Sequence, residues 1–385
     1  MGIRQDINDF LAKFEHQFIT YNRIEVSKQA LLNNFDFFKL SSAGSMQIIP
    51  VLKANAYGHG ISLVAESLNE RIFPYFAVDG YFEALRIRRV SDKPVLIMGA
   101  IAPENYTRIK FDNFAFVVDE LVTIDALGRT GKRVKVHLEC NSGMNRRGAK
   151  IGEIRQLTRR ILSYPNLELE GIMSHLADSD GDDPGTVDEA TAVFDACVEE
   201  VIACGCQPAL IHLAQTAGSL KAKSRYANCM RLGIGLYGIN PFGPKHKLHS
   251  ELEPLIPALK LVSTITKIIN LSKGEKVSYN YTFTANRPMK IGVLPLGYYE
   301  GVNRQLSNAG LVKVKTEFTP IIGRVCMNHT IISLENLNTK IGDAVVIYSD
   351  NPDDPNSIDQ LASKFGLFNY NLLTALSPDV RRVLV

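Results

Sequence analysis

Alternating strand-like and helix-like segments constrain the fold of this chain more than any other feature. From about residue 22 to residue 237, short apolar and β-branched runs alternate with longer amphipathic stretches. The strand candidates are residues 24–26, 48–53, 75–78, 94–97, 114–118, 134–139, 167–174, 210–213 and 230–236. Helical patterns lie between most of them, for example at 60–68, 81–88, 151–162 and 186–202. This alternation predicts an α/β fold with a parallel sheet, and at this length a TIM-type (β/α)8 barrel.

The pattern changes after about Leu252. Short strand-like runs at 262–271, 291–296, 312–315, 319–325 and 344–348 are separated by Gly-rich turns, and a single clear helix follows at 357–365. This predicts a second, mostly antiparallel β domain. Since 385 residues exceed one ordinary core, we expect a barrel domain at 17–251 and a β domain at 252–385, which residues 1–16 could join.

Composition excludes several classes of protein. Hydrophobic residues make up 45% of the chain and charged residues 22%, as in globular proteins that stay in water. A net charge of +3, with lysine and arginine spread along the chain, gives no electrostatic case for nucleic acid or an anionic membrane. Apolar runs are too short to span a bilayer, and the first twenty residues lack a signal-peptide pattern. We therefore expect a cytoplasmic protein.

The six cysteines lack metal-site spacing, so we expect reduced thiols and no metal.

The ten residues VLKANAYGHG, residues 51–60, carry the first candidate for chemistry. An apolar strand runs into Lys53, and a turn with two glycines follows. Burial at a strand end lowers the pKa of an ammonium, and only the neutral amine attacks a carbonyl. A lone lysine in such a position more often keeps its charged end in water, so the pattern alone favours a structural role.

This segment resembles the pyridoxal-phosphate lysine signature of the alanine racemase family. The resemblance implies that Lys53 carries pyridoxal 5'-phosphate and that Tyr57 contacts its phosphate. It extends from about residue 22 to residue 382. It also implies an N-terminal barrel, a C-terminal β domain, and a homodimer whose two active sites each take residues from both subunits.

A second segment, MRLGIGLYG, contains the glycine spacing of dinucleotide-binding folds. That fingerprint must open a helix, and the sequence INPFGP that follows cannot form one. The segment instead resembles the family region in which an arginine, here Arg231, faces the pyridine nitrogen. The family contacts to phosphate then carry over to Gly233 and Ile234. In HLAQT, His212 resembles the histidine that supports this arginine, and Thr216 stands where a phosphate-binding serine is usual.

Racemisation requires a proton to be removed on one face of the substrate and returned on the other. Lys53 can serve one face, and a tyrosine with a lowered pKa can serve the other. The segment VSYNYT resembles the family segment that carries this second base, which places it on Tyr279. Tyr298 is expected at the substrate entrance. His175 is expected beside the cofactor, where it hydrogen-bonds the tyrosine base. Without the resemblance, tyrosines in strands and histidines at strand ends are usually structural.

The substrate side combines matches and departures. The segment GRVCM resembles the family loop in which a methionine amide holds the substrate carboxylate, and Met327 is that methionine here. Arg146 matches an arginine that lies near the same carboxylate. Glu139 stands where the family has a lysine that is often carbamylated, so we hypothesise that its carboxylate supports the active-site arginine directly. Asn328 replaces the usual aspartate. The tail SPDVRR lacks the tyrosine expected there, which predicts one missing phosphate contact.

The resemblance therefore implies a pyridoxal-phosphate amino acid racemase that acts on alanine and supplies a D-amino acid for the cell wall. A racemase of wider range, acting on serine or other amino acids, is the main alternative because the substrate-side positions differ. Pyridoxal-phosphate decarboxylases share the lysine but are not expected to share the segments at 277–282 and 323–327. A non-enzymatic carrier of the cofactor would be a lone barrel, which the residues after Leu252 do not favour.

Overall fold

The computed structural model describes residues 19–41, 46–111 and 113–385. Its residues cluster into two units. One comprises Val26–Leu259, Asp350–Thr374 and Leu384–Val385, and the other comprises 19–25, Lys260–Ser349 and Ala375–Val383. The division does not follow a single boundary at residue 252, since residues 350–374 cluster with the barrel. The predicted contribution of residues 1–16 lies outside the described residues.

Strand β1 (Arg23–Val26) belongs to a sheet of the β unit, and the next eight strands form one parallel sheet. These are β2 (Gln47–Pro50), β3 (Phe76–Val78), β4 (Val95–Ile97), β5 (Phe114–Val118), β6 (Val134–Glu139), β7 (Leu167–Met173), β8 (Leu210–Gln215) and β9 (Cys229–Leu232). Their order is β2-β9-β8-β7-β6-β5-β4-β3. A parallel bridge between Val51 and Ala77 brings the two edges together. The predicted TIM-type barrel is therefore confirmed.

Helices connect these strands and cover the sheet. They are α1 (Lys28–Ser41), α2 (Lys53–Tyr57), α3 (Ile61–Ser67), α4 (Tyr81–Ile87), α5 (Leu121–Gly128), α6 (Ile151–Leu162) and α7 (Pro184–Ala203), with 3₁₀ turns at Pro103–Thr107, Gly218–Leu220, Ile234–Tyr237 and Ser250–Leu252. Helix α6 buries Ile154, Leu157 and Ile161 at helical spacing and leaves charged residues outside. Strands such as β5 are buried along their whole length, as expected when helices cover a parallel sheet.

Two helices of the same unit come from the C-terminal part of the chain, α8 (Ile358–Phe365) and α9 (Asn369–Thr374). The hydroxyl of Ser357 accepts the Gln360 amide at 3.4 Å and caps α8. The sequence predicted α8 at 357–365 but missed α9. A six-residue helix has too few turns to show a clear apolar period.

The second unit contains antiparallel sheets, as predicted. Its further strands are β10 (Leu259–Thr264), β11 (Lys267–Leu271), β12 (Lys276–Val277), β13 (Phe283–Thr284), β14 (Met289–Leu294), β15 (Leu311–Val314), β16 (Glu317–Pro320), β17 (Thr330–Ser333), β18 (Ala344–Tyr348) and β19 (Arg381–Leu384), with 3₁₀ turns at Tyr279–Tyr281 and Arg304–Leu306. A six-stranded sheet has the order β16-β15-β18-β10-β1-β19, a three-stranded sheet the order β11-β14-β17, and β12 pairs with β13. A small hydrophobic core in this unit is formed by Leu271, Val277, Ala285, Met289, Ile291 and Ile322.

Several predicted strands differ from the structure. The candidate at 24–26 is a strand but lies outside the barrel, because local pattern does not specify which sheet a strand joins. The single run at 262–271 is two strands, β10 and β11. The candidate at 230–236 ends at Leu232 and continues as a 3₁₀ turn, which a continuous apolar run does not distinguish from a strand.

Candidate active site

A cavity of about 520 Å³ lies where the barrel strands end. Its walls include nine residues predicted from the sequence: Lys53, Tyr57, Glu139, Arg146, His175, Thr216, Arg231, Gly233 and Ile234. Lys53 follows β2, Glu139 ends β6, His175 follows β7 and Thr216 follows β8. Since barrels of this type keep their chemistry at the C-terminal ends of strands, the cavity is the candidate active site.

The chain after Lys53, the short element α2, makes a left-handed turn and not a regular right-handed helix. Ala54, Asn55, Ala56 and Tyr57 all have φ between 50° and 55°. Non-glycine residues pay about 1–2 kcal/mol each in this region, so neighbouring groups must hold the turn in place. The Glu83 carboxylate accepts the Ala54 amide at 2.7 Å, and the Asn55 side chain accepts the Ile61 amide at 3.1 Å. This run of four left-handed residues directly adjoins the lysine.

The environment of Lys53 favours its neutral form. Burial lowers the pKa of its ammonium; Asp79 opposes this change, and the nearby cations Arg146 and Arg231 add to it. The sequence-based expectation that Lys53 is desolvated is therefore supported by its surroundings. Such a lysine can act as a nucleophile toward a carbonyl compound in the cavity.

Arg231 is buried beneath the cavity, and both of its terminal nitrogens are occupied. Nη1 donates to His212 Nδ1 and to His212 O, both at 2.8 Å. Nη2 donates to Ser174 O at 2.6 Å, Leu213 O at 3.1 Å and His175 Nδ1 at 3.2 Å. Among the described residues none accepts from Nε, so this nitrogen remains the donor for a ligand. Burial lowers the pKa of Arg231 to about 10, which leaves it protonated at neutral pH.

His175 is neutral in this environment. Burial, together with Arg231, Arg146 and Lys53, lowers its pKa to about 3. Its Nδ1 accepts from Arg231, so the proton of the neutral ring is on Nε2. His175 can therefore donate a hydrogen bond from Nε2 without carrying charge.

The start of the 3₁₀ turn Ile234–Tyr237 forms another wall. Its own hydrogen bonds begin with the Leu236 amide, which donates to Gly233 O at 3.0 Å, so the turn does not use the amides of Gly233 and Ile234. A Cβ atom at Gly233 would lie 2.8 Å from the Tyr57 hydroxyl oxygen. Thr216 Oγ1 accepts the Gly235 amide at 3.1 Å. This wall of the cavity therefore presents two backbone amides and two hydroxyls, which can bind an anionic group. They are the amides of Gly233 and Ile234 and the hydroxyls of Tyr57 and Thr216.

Glu139 lies beside two arginines, but its close partner is not the predicted one. Its carboxylate is 3.7 Å from Arg147 Nε, whereas Arg146 acts on it only through longer-range attraction. Arg147 is held mainly by Asp119, at 3.1 and 3.3 Å, and by Met98 O at 2.7 Å. Burial raises the pKa of Glu139, and Arg147 opposes the change. The hypothesis that Glu139 supports Arg146 directly lacks a close contact, although the carboxylate does lie in the cavity wall.

Sequence reasoning missed two residues near this cavity. Tyr370, on α9, lines it, and its ring lies 6.0 Å from that of Tyr57. The C-terminal region therefore does provide a tyrosine, although not in the tail where it was sought. The other is His137, a buried histidine in β6 that contacts His212. Its polar side chain within an apolar strand pattern was the signal that could have identified it.

The remaining predicted residues lie on three loops of the β unit. Backbone hydrogen bonds of 3.0 Å connect Tyr298 N to Cys326 O and Tyr299 N to Met327 O. The Ser278 hydroxyl donates to Arg324 O at 2.7 Å. These contacts bring together the loops that carry Tyr279, Tyr298 and Met327. We call these three residues, together with Tyr281, the tyrosine face.

The tyrosine face is exposed in the single chain. Tyr279 is 69% exposed, Tyr281 67% and Met327 55%. Ser278, directly before Tyr279, has φ 64° and ψ −176°, a conformation that essentially only glycine adopts without cost. Large exposed apolar groups on an over-determined backbone commonly mark a binding surface.

Asn328 follows Met327 and makes a specific contact. Its side-chain amide donates to Glu300 Oε1 at 2.7 Å, and the Gly297 amide donates to Glu300 Oε2 at the same distance. Asn328 thus connects the Met327 loop to the Tyr298 loop.

Across residues 19–41, 46–111 and 113–385, no group of three or more His, Cys, Asp or Glu side chains is arranged to hold a metal ion. No helix within these ranges is long and apolar enough to cross a membrane. The six cysteines are free thiols.

Comparison with known proteins identifies the family. The model of the alanine racemase N-terminal domain matches residues 26–241, and that of the alanine racemase C-terminal domain matches residues 258–384. The chain belongs to the alanine racemase family. The family resemblance and the two-part architecture predicted from the sequence are thereby confirmed.

Individual alanine racemases align over most of the chain. The protein from Francisella philomiragia is 30% identical over 370 residues, which cover 94% of this chain and 100% of the relative. The solved alanine racemase from Bacillus anthracis, with bound L-Ala-P, is 28% identical with a TM-score of 0.87 and covers 96% of each chain. The structure from Bartonella henselae, which has covalently bound pyridoxal phosphate, is 21% identical with a TM-score of 0.82; it covers 95% of this chain and 100% of its own, and shares the fold.

Proposed function

We propose that this protein is a pyridoxal-phosphate-dependent alanine racemase that interconverts L- and D-alanine. The observation that carries the proposal is the placement of Lys53, with its lowered pKa, in one cavity with the Nε donor of buried Arg231. Family membership supports the same reaction. We further propose that the enzyme works in the cytoplasm and supplies D-alanine for peptidoglycan.

The residues of the cavity fit pyridoxal 5'-phosphate. Lys53 would hold it covalently, and the Gly233 and Ile234 amides, with the hydroxyls of Tyr57 and Thr216, would bind its phosphate. Arg231 Nε would face the ring nitrogen. When bound, this cofactor supplies an electron sink that stabilises negative charge at the α carbon of an amino acid.

Arg231 would limit how strongly the bound cofactor stabilises negative charge at the α carbon. A guanidinium donates a hydrogen bond but does not give up its proton near neutral pH. Arg231 would therefore leave the ring nitrogen unprotonated, so the negative charge at the α carbon would be only moderately stabilised. This contact would disfavour side reactions such as transamination and favour return of the proton to the same carbon.

Two bases are needed because the proton leaves one face of the α carbon and returns to the other. We propose that Lys53 Nζ serves one face and Tyr279 Oη the other. Neutral Lys53 can accept a proton directly, whereas Tyr279 can accept one only as the phenolate, the form that nearby cations stabilise. Arg146 and Arg231 supply positive charge in the cavity, and neutral His175 can donate to the phenolate from Nε2.

The exposure of Tyr279 supports a homodimer with shared active sites. A base that is 69% exposed lacks the enclosed, water-excluded surroundings in which catalytic groups usually act. We propose that the tyrosine face of one subunit covers the cavity of its partner, so that each site contains Lys53 of one chain and Tyr279 of the other. Tyr298 would then line the entrance, and the Met327 amide, with Arg146, would hold the substrate carboxylate.

The Glu139 carboxylate has a supporting role in this proposal. It neutralises the pair of adjacent arginines, Arg146 and Arg147, without any need for a carbamylated lysine. A racemase of wider range remains the second candidate, because Asn328 replaces an acidic residue beside Met327 and contacts Glu300 instead.

Isotope exchange tests the proposal directly. Purified protein with pyridoxal phosphate in heavy water is given L-alanine or L-serine, and products are analysed by chiral chromatography and mass spectrometry. D-Alanine with deuterium at the α carbon, formed much faster than D-serine, is the expected result. Comparable rates would establish the wider-range racemase. Carbon dioxide release without any D-amino acid would overturn both.

Matched variants test the assignment of the bases. Lys53→Ala should abolish turnover and covalent cofactor attachment. Tyr279→Phe should abolish conversion from L to D, whereas Tyr281→Phe, on the same 3₁₀ turn and equally exposed, should not. Equal effects of the two tyrosine variants would remove Tyr279 from the mechanism. Mixing Lys53→Ala with Tyr279→Phe protein should restore part of the activity, since mixed dimers contain one intact site; no recovery would contradict shared sites.

A further inference from the structure

A continuous chain of polar side chains runs through the interior of the barrel, where apolar side chains normally fill the space. Arg231 Nη1 contacts His212 Nδ1 at 2.8 Å, and His212 Nε2 contacts His137 Nδ1 at 2.8 Å. His137 Nε2 then contacts Glu170 Oε2 at 3.3 Å. Both histidines are fully buried. This polar column requires an explanation, because a buried network with unsatisfied hydrogen-bonding groups would make the folded protein less stable than an apolar core would.

The column ends at Glu170, toward the N-terminal ends of the strands. Lys135, the second residue of β6, donates to Glu170 Oε1 at 2.5 Å, and the hydroxyl of Tyr75, directly before β3, donates to Oε2. Burial alone would raise the pKa of Glu170, but hydrogen bonds from His137, Lys135 and Tyr75 outweigh it and lower the pKa to about 2. Glu170 is therefore an anion that only accepts hydrogen bonds.

The two ends of the column fix the proton positions between them. Arg231 can only donate, so His212 Nδ1 must be an acceptor, and neutral His212 carries its proton on Nε2. That proton is donated to His137 Nδ1, which leaves the His137 proton on Nε2, facing the Glu170 carboxylate. Burial lowers the pKa of both rings, so each stays neutral. One arrangement of protons satisfies every contact, and its direction is set by a cation at one end and an anion at the other.

Gly171 provides the space that this arrangement needs. It lies opposite His137 in the β6–β7 register. A Cβ atom at Gly171 would lie 2.5 Å from His137 Nδ1 and 2.7 Å from Cε1, far closer than packed atoms approach. Any side chain at this position would therefore displace the imidazole from His212.

We propose that His137 and Glu170, acting through His212, are positioning residues that hold the Arg231 guanidinium with Nε directed to the cofactor. If His212 carried its proton on Nδ1, that N–H would face the Nη1–H of Arg231, and two donors would meet. The arginine would then have to turn away. The inference rests on the proposed role of Arg231, but the column itself is a property of the protein and can be observed without turnover.

The first experiment measures the tautomers directly. Full-length protein labelled with ¹⁵N-histidine is studied by long-range ¹H–¹⁵N correlation, with and without pyridoxal phosphate, between about pH 5 and pH 8, where ordinary histidines titrate. The expected result is that the His137 and His212 rings, assigned by single substitutions, both show the neutral Nε2–H pattern and do not change with pH. An Nδ1–H pattern for either ring, or protonation of either ring in this range, would overturn the proposal even if the protein is a racemase.

The second experiment perturbs the column. Gly171→Ala should weaken pyridoxal phosphate binding, shift the absorption band of the bound cofactor and lower kcat about tenfold, the effect of losing one hydrogen bond to a charged group, while KM changes less than about twofold. Gly152→Ala is the matched control, because a Cβ atom there meets nothing within 4 Å. A wild-type absorption band and kcat in folded Gly171→Ala would overturn the proposal.

A milder variant covers the case in which Gly171→Ala does not fold. Glu170→Gln retains the shape of the side chain, but its amide can present either N–H or oxygen to His137, so the His212 tautomer should become mixed in the nitrogen spectra and the absorption band should shift. Lys135→Met removes a Glu170 partner without touching the column and should leave the tautomers unchanged. A wild-type spectrum in Glu170→Gln would contradict the role of the anion.

Discussion

Replacing Asn328 by aspartate should disable the connection between the two substrate-side loops. In the native chain the Asn328 amide donates to Glu300 Oε1 at 2.7 Å, while Glu300 Oε2 accepts the Gly297 amide. Asn328→Asp keeps the shape of the side chain but replaces the donor by a second carboxylate. The change therefore tests the connection without creating a cavity or a steric clash.

The magnitude follows from the distance between the two groups. Two unit charges about 3 Å apart repel by about 1.4 kcal/mol at the dielectric constant of water and by about 5.5 kcal/mol at an effective value of 20. Because Asn328 is exposed, the lower figure applies. A free-energy difference of about 1.4 kcal/mol corresponds to a factor of ten in an equilibrium constant. Because the two loops that would separate carry Met327 and Tyr298, we expect KM for L-alanine to rise about tenfold.

The assay is steady-state racemisation of L-alanine as a function of pH and salt. Like charges raise the apparent pKa values of a carboxyl pair, so the penalty is present when both groups are ionised and is lost as pH falls through those raised values. Added salt should also reduce the defect. Far larger or pH-independent losses would indicate a different cause.

The double variant Glu300→Gln with Asn328→Asp supplies the decisive control. In the double variant the amide is at position 300 and the carboxylate is at position 328, so one amide again faces one carboxylate. KM should therefore return to within about twofold of the native value. If the double variant is as impaired as the sum of the single variants, the two side chains do not act as a pair, and the reasoning is wrong.

Three further predictions concern the barrel side. Lys53→Met should make the cofactor-free protein more stable at neutral pH, because the lowered pKa means that folding disfavours the ammonium; the difference should vanish above pH 10.5, the ordinary pKa of lysine, as measured by urea unfolding midpoints. Glu139→Gln should raise KM about fivefold with little change in kcat, because two arginines lose a neutralising charge; unchanged kinetics would remove its proposed role. Gly233→Ala should weaken pyridoxal phosphate binding at least tenfold by displacing the Tyr57 hydroxyl, and an unaltered cofactor titration would contradict the phosphate assignment.

Local sequence patterns were sufficient for the barrel, whereas most of its cavity residues were predicted from the resemblance to a known family. Strands of the barrel are buried on both faces and separated by helices of clear apolar period, so the alternation is visible without any tertiary information. The cavity residues predicted from the sequence lie at strand ends, because a parallel barrel gathers the ends of all its strands at one face. Lys53, Arg231 and Thr216 were therefore found from separate motifs and are brought together by topology.

Other features depended on contacts that no local pattern encodes. Strand β1 has an ordinary strand sequence, but which sheet it joins is set by packing of distant segments. Tyr370 was missed because it belongs to a short helix far along the chain from Tyr57, whereas the family resemblance placed the expected tyrosine in the tail SPDVRR, which has none. The pairing of Glu139 with Arg147 rather than Arg146 depends on side-chain directions after a turn, which spacing does not give.

The sequence by itself determined the chemistry of this protein, since the identity of Lys53, Arg231 and Tyr279 limits what the residues can do to a proton or a carbonyl. Only the tertiary structure decided the state in which those groups act. Burial lowers the pKa of Lys53, the partners of Arg231 leave Nε for a ligand, and Gly171 admits the imidazole of His137. The reason is physical: pKa values and hydrogen-bond directions depend on the distance to other groups and on exclusion of water, and both are set by residues far apart in the chain.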